Sequence, residues 1–195
     1  MRDWWPDLRG KAVVIAGSGA SQSASQLKAL RPIGYTIVIN ETRLLAPWAN
    51  MLYACDRRYW EVKKPEFDGL KVSGQKVDQA HCANVRAVDE MLWGDEVGGG
   101  GNSGFQSLNL ALKWGSRKII LTGIDLTGGH WHQAHGAGLA NPQEQTFKRW
   151  LSAFRKASPI CEDMGADVVV CSHLSALDCF RRQTVEGVLS EGWGL

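Results

Sequence analysis

Five consecutive apolar residues, Ala12 to Ala16, run directly into Gly17-Ser18-Gly19-Ala20-Ser21, and no other feature narrows the possible folds as far. A short, unbroken apolar run reads as a strand covered on both faces, the setting of a parallel sheet. The small residues after it allow a tight strand-to-helix turn, and Ser21 is placed to cap a helix reaching Leu30. Arg31 to Tyr35 ends that helix with Pro32 and Gly34, and Thr36 to Asn40 forms a second β-rich run. Strand, helix and strand in this order predict a right-handed βαβ unit.

The alternation continues. Met51 to Cys55 reads as a third strand with a helix starting at Asp56, and Leu70 to Ser73 and Val85 to Val88 are weaker strand candidates. Residues 94–104 hold six glycines and predict a flexible loop. Ser103 to Trp114 is helical by pattern, with Phe105, Leu108 and Leu112 on one face and Gly115 as the stop. Lys118 to Thr122 is a clear strand, followed by a glycine- and histidine-rich loop over 124–141. A helix is expected from Pro142 to about Ala157, and Asp167 to Cys171 is the last core strand. The expectation is a single domain over 1–195, a Rossmann-like, doubly wound α/β fold whose mostly parallel sheet carries helices on both faces. Ligands in such folds bind beyond the carboxyl ends of the strands. Ser18 and Ser21, Asn40, Asp125 to His135 and Ser172 to Ser175 all fall there.

Composition narrows the partners. The 195 residues carry a formal net charge of +2 with no lysine or arginine block, so capture of nucleic acid is not indicated. Five cysteines without a CxxC pair point to reduced thiols and a cytoplasmic setting. No apolar window has the length of a membrane span. Nine tryptophans, several near element ends, are compatible with a homo-oligomer.

The residues that carry chemistry lie in the same loops. Gly17, Ser18, Gly19 and Ser21 can aim backbone amides at a phosphate, although Gln22 breaks the dinucleotide fingerprint and no Lys-Ser/Thr makes a Walker loop. A plain tight turn is the alternative. Asn40 could read a base or ribose and Arg43 a phosphate, or they form an Asx turn with a solvated arginine. Asn102 or Ser103 caps the helix that follows, and with Gly104 they offer a second anion site. His130, His132 and His135 fall within six residues, so one of them could be a general base. With Asp125 they could instead hold a divalent metal, or they are surface histidines of a polar loop.

In order, a strand ending in GSGAS, a strand ending in Asn40, NSGFQSLNLALKWGSRKIILTGIDL, a histidine loop and DVVVCSHLSAL resemble the bacterial sialyltransferases of glycosyltransferase family 42. The same motifs resemble the Rossmann-like group that includes archaeal 6-hydroxymethylpterin pyrophosphokinase. LAPWANMLYACDRRYW looks like phage-encoded proteins, which implies a bacterial or phage-infected host cytoplasm. The sialyltransferase resemblance implies transfer from a nucleotide sugar with no required cofactor. The nucleotide would be held by Gly17, Ser18, Gly19, Asn40, Asn102, Ser103 and Gly104, with His135 or His132 as base. Ser18 and Ala20 stand where that family carries Asn and Pro, and its phosphate-supporting tyrosines have no counterpart near Leu126 and Thr127. The pyrophosphokinase resemblance implies a metal-dependent reaction drawing on Asp125. A non-catalytic nucleotide-binding phage protein is the third reading.

Overall fold

The computed structural model describes residues 3–80, 82–88, 90–92, 101–133, 139 and 141–193. Strands β1 (Ala12–Ala16), β2 (Gly34–Ile39), β3 (Met51–Ala54), β4 (Leu70–Ser73), β5 (Val85–Ala87), β6 (Lys118–Thr122), β7 (Asp167–Val170) and β8 (Arg181–Arg182) form one sheet. Their order is β5-β4-β3-β2-β1-β6-β7-β8, and every pairing is parallel. This is the expected Rossmann-like α/β architecture. The chain adds strands outward from β1 to β5, then returns to place β6 on the other side of β1. The sheet therefore reverses direction between β1 and β6, and the crevice at that point is where such sheets bind ligands.

Side-chain alternation along the central strands feeds two separate cores. Val13, Ile15, Ile119 and Leu121 face α3 (Ser103–Lys113) and α4 (Glu144–Asp163), where Phe105 and Phe154 meet edge to face at 5.2 Å. Ala12, Val14, Ala16 and Ile120 face the opposite side, covered by α1 (Ala24–Leu30), α2 (Arg57–Lys63) and α5 (Val185–Ser190). Because β1 is buried on both faces along its whole length, its run of five apolar residues has no polar break.

Element ends differ from the sequence expectation in three places. Helix α1 begins at Ala24, because Ser23 supplies the capping oxygen to the Gln26 amide while Ser21 is engaged elsewhere. Helix α4 begins two residues after Pro142 and runs past Ala157 to Asp163, carrying Pro159 inside it. Pro159 lies on the exposed side, and Phe154, Ala157, Ser158 and Cys161 keep the buried stripe going beneath it. Strand β8 and helix α5 have no apolar run to announce them. The glycines of 94–100 lie outside the described residues.

Candidate functional site

A cleft of about 470 Å³ opens at the carboxyl ends of β1, β2, β3 and β6, where the sheet reverses. That volume suits a ligand the size of a small nucleotide. Its floor comes from the two turns that leave β1 and β6. The Gly17 amide donates to the Thr122 carbonyl and the Gly19 amide to the Gly123 carbonyl, each at 2.7 Å. The approach is so close that a Cβ on Gly17 would lie 2.9 Å from Ile124 Cγ1 and one on Gly19 2.7 Å from the Gly123 oxygen. Only glycine fits at either position.

This packing changes the role expected of the glycine turn. Besides Gly17 and Gly19, the Ser21 amide donates to Asp125 Oδ2 at 2.8 Å, and the Ser21 hydroxyl donates to Asp125 Oδ1 at 2.5 Å. Three amides expected to cradle a phosphate are thus taken by the chain itself, one of them by a carboxylate that is only 2 % exposed. Asp125 is a latch between the two turns. Ser21 faces away from the cleft into a second, more open groove, which it lines with Ser23, Gln26, Ser172, His173 and Arg182.

Amides without a hydrogen bond among the described residues include those of Ser18 and Ala20 in the turn and those at the start of α3. Asn102 Oδ1 accepts from the Phe105 amide at 3.0 Å, and the Asn102 carbonyl accepts from Gln106. The Ser103 and Gly104 amides line the cleft and make no hydrogen bond among the described residues. The Ser103 hydroxyl accepts from the Cys55 amide at 3.0 Å, which ties α3 to the end of β3. Cys55 also lines the cleft, but burial and then Asp56 push its thiol up to about 12, so it is no thiolate nucleophile. Among the described residues no lysine or arginine lines the cleft. The exposed Arg149 lies at its border, with Nη2 3.5 Å from a Cβ built on Gly101.

Asn40 reaches the cleft as expected, with a φ of 51° that asparagine tolerates better than most residues. Arg43 does not. It lies in the tight helical turn Asn40–Leu44 and pairs with Glu41 at 3.4 Å, both side chains largely buried. The same turn supplies Thr42, whose hydroxyl donates to the Gly17 carbonyl at 2.9 Å and accepts from Trp131 Nε1 at 3.3 Å. The Ser18 hydroxyl donates to the Ile39 carbonyl at 3.0 Å, and the Ser18 carbonyl accepts the Trp131 amide at 3.2 Å. Ser18 and Thr42 thereby hold the histidine loop against β1 and β2.

Among the described residues, the histidine this loop brings into the cleft is His130. Its Nδ1 is 3.2 Å from the Ser18 carbonyl oxygen, and a carbonyl only accepts, so Nδ1 is the donor in this contact. His132 does not line the cleft. It stacks on His130 with centroids 5.1 Å apart and ring planes within 2°. Burial, then the adjacent His130, lower its pKa, against a smaller opposing pull from Glu41. His135 lies outside the described residues. The sequence expectation put the base on His132 or His135, and among the described residues His130 is the histidine that lines the cleft. The sequence signal for that placement was its position right after Gly128-Gly129, where the chain can fold back over β1.

The lowered His132 pKa has a measurable consequence. The folded state favours the neutral ring, so the unfolded chain binds more protons below its ordinary pKa of 6.5. This contribution is full above that pH and is lost as the pH falls below it. Urea midpoints across the range from about pH 8 to about pH 5 should fall toward acid, and His132→Asn should flatten that slope. An unchanged slope would show that His132 stays solvated.

Ser172 and Ser175 also take structural positions. The Gly123 amide donates to the Ser172 hydroxyl at 2.6 Å, and the Ser175 hydroxyl donates to the Ile124 carbonyl at 2.7 Å. They brace the exit of β6 from the side away from the cleft. The cap and first two turns of α4 complete the wall with Gln143, Thr146, Phe147 and Trp150, of which the sequence had pointed only to Trp150, as a tryptophan near an element end. Among the described residues no helix is long and apolar enough to cross a membrane. No family model matches the chain, and no curated protein or solved structure does so either.

Proposed function

We propose that the cleft binds the phosphate of a nucleotide-activated donor at the start of α3, and that the chain transfers the activated group to an acceptor hydroxyl with His130 as general base. One observation carries this reading: the Ser103 and Gly104 amides, unpartnered among the described residues, share one cleft with an imidazole held at Nδ1 by the Ser18 carbonyl, at the reversal point of a parallel sheet. A helix start carries roughly half a positive charge, which suits a phosphate where no lysine or arginine among the described residues lines the wall. In the transfer, His130 Nε2 takes the proton of the acceptor hydroxyl as its oxygen bonds to the donor carbon. The bond from that carbon to the phosphate oxygen breaks, and the departing phosphate carries its charge onto the amides. Asp56 also lines the cleft and does not use its carboxylate to cap α2, which leaves it to accept from ligand hydroxyls. The metal-dependent alternative draws on Asp125 together with the loop histidines, and both carboxylate oxygens of Asp125 accept a hydrogen bond from Ser21.

Calorimetry with CMP, UDP, ADP and GDP tests the binding, and inorganic pyrophosphate should compete. His130→Ala should keep nucleotide affinity within about threefold and slow nucleotide release from its sugar conjugate by roughly 10²- to 10⁴-fold. Failure of all four nucleotides to bind defeats the reading. Turnover abolished by a chelator would move it to the metal-dependent alternative, and tight binding without product to a non-catalytic one.

A further inference from the structure

The wall that α4 contributes differs chemically from the rest of the cleft. Phe147 and Trp150, one helical turn apart, meet edge to face at 5.5 Å with 83° between their planes, and both line the cleft. Both are only half-buried, although Phe154, one turn further on, is fully buried in the core. The indole Nε1 is shielded from solvent, has no hydrogen-bond partner among the described residues, and lies 3.5 Å from a Cβ built on Gly101. The indole is thus clamped against the chain just before α3. Facing Phe147 is Gly128, where a built Cβ would be 4.0 Å from the Phe147 ring, and Gly129 follows it along the cleft. Gln143 also lines the cleft, from the cap position of α4, and its side chain does not cap the helix.

The cleft therefore joins two unlike surfaces. Backbone amides at the start of α3 meet an anion, and beside them two nearly perpendicular rings form an aromatic corner. A side-chain amide that both donates and accepts lines the cleft with them. Building on the nucleotide reading above, we propose that this corner takes a heterocyclic base, stacked on the face of one ring and against the edge of the other, with Gln143 at its polar edge. The ligand class is then a nucleotide, and neither a sugar phosphate nor a free inorganic anion. A sugar phosphate would fill the anion site and leave both rings uncovered. A base covers them, and every base has a π-face to offer.

The test titrates the wild type, Phe147→Leu, Trp150→Leu and Trp150→Phe with CMP, UMP, AMP and GMP. The same proteins are titrated with two probes that lack a base, ribose 5-phosphate and pyrophosphate. Each leucine variant should weaken the best nucleotide by about tenfold and leave the base-free probes unchanged, while Trp150→Phe restores most of the loss. Thermal midpoints report folding. If Trp150→Leu fails to fold, Phe147→Leu and Trp150→Phe still decide the matter. Equal loss for all probes, or a wild type that binds ribose 5-phosphate as tightly as any nucleotide, overturns the base corner and leaves the phosphate site standing. Binding of no probe at all removes both.

Discussion

Gly17→Ala should lower the stability of the folded chain by about 3 kcal/mol, the upper part of the usual cost of overpacking. The added methyl would press on the Gly123 carbonyl and lie 2.9 Å from Ile124 Cγ1. A flexible side chain could rotate away, but the Gly123 carbonyl is backbone, and it accepts the Gly19 amide at 2.7 Å. Relief would require β1 and β6 to separate, and these are paired strands at the centre of the sheet. Urea unfolding reads the effect as a lower midpoint at unchanged slope. Gln145→Ala, at an exposed position of α4, is the control and should stay within about 0.5 kcal/mol of wild type. A wild-type midpoint for Gly17→Ala would mean the two turns are not in contact.

Asp125→Ala should cost a similar amount by a different route. The carboxylate is buried and accepts both the Ser21 amide and the Ser21 hydroxyl. Hydrogen bonds to charged groups contribute about 1.5–3 kcal/mol, and alanine leaves the Ser21 amide without an acceptor, so a loss of about 3 kcal/mol is expected. Asp125→Asn keeps one carbonyl oxygen for that amide, and the serine hydroxyl can turn to accept from the new NH₂, so about half of that loss should return. A double-mutant cycle with Ser21→Ala should give a coupling of at least about 1 kcal/mol, because the two residues share the interaction. Additive losses would show that Asp125 is held by something other than Ser21. Turnover in Asp125→Asn separates latch from catalyst, since a latch that still folds leaves His130 and the amides of α3 in place.

Parts of this site could be read from local pattern. Asn102 was legible as a cap because asparagine before a small residue and an apolar helix satisfies an amide three residues ahead, and it bonds Phe105 in this way. Convergence of Ser18, Asn40, Ser103 and the histidine loop followed from strand order, since parallel strands put all their carboxyl ends on one rim. The misplaced end of α4 has a local cause too. Pro159 looks like a stop, but a proline on the exposed side removes one amide and leaves the buried stripe intact.

The apolar run of β1, the glycines after it and the alternation of strand and helix are local properties, and they suffice to specify the doubly wound sheet and the rim on which a ligand would lie. Which amides on that rim stay free is a different kind of question. Ser21 and Asp125 are 104 positions apart, and no periodicity links a donor to an acceptor at that distance. Folding alone brought them together. It consumed the Gly17, Gly19 and Ser21 amides, drew Arg43 to Glu41, stacked His132 behind His130 and carried Phe147 and Trp150 to the cleft. Hydrogen bonding is a competition among whichever groups end up adjacent, and adjacency across the sheet is settled only by packing.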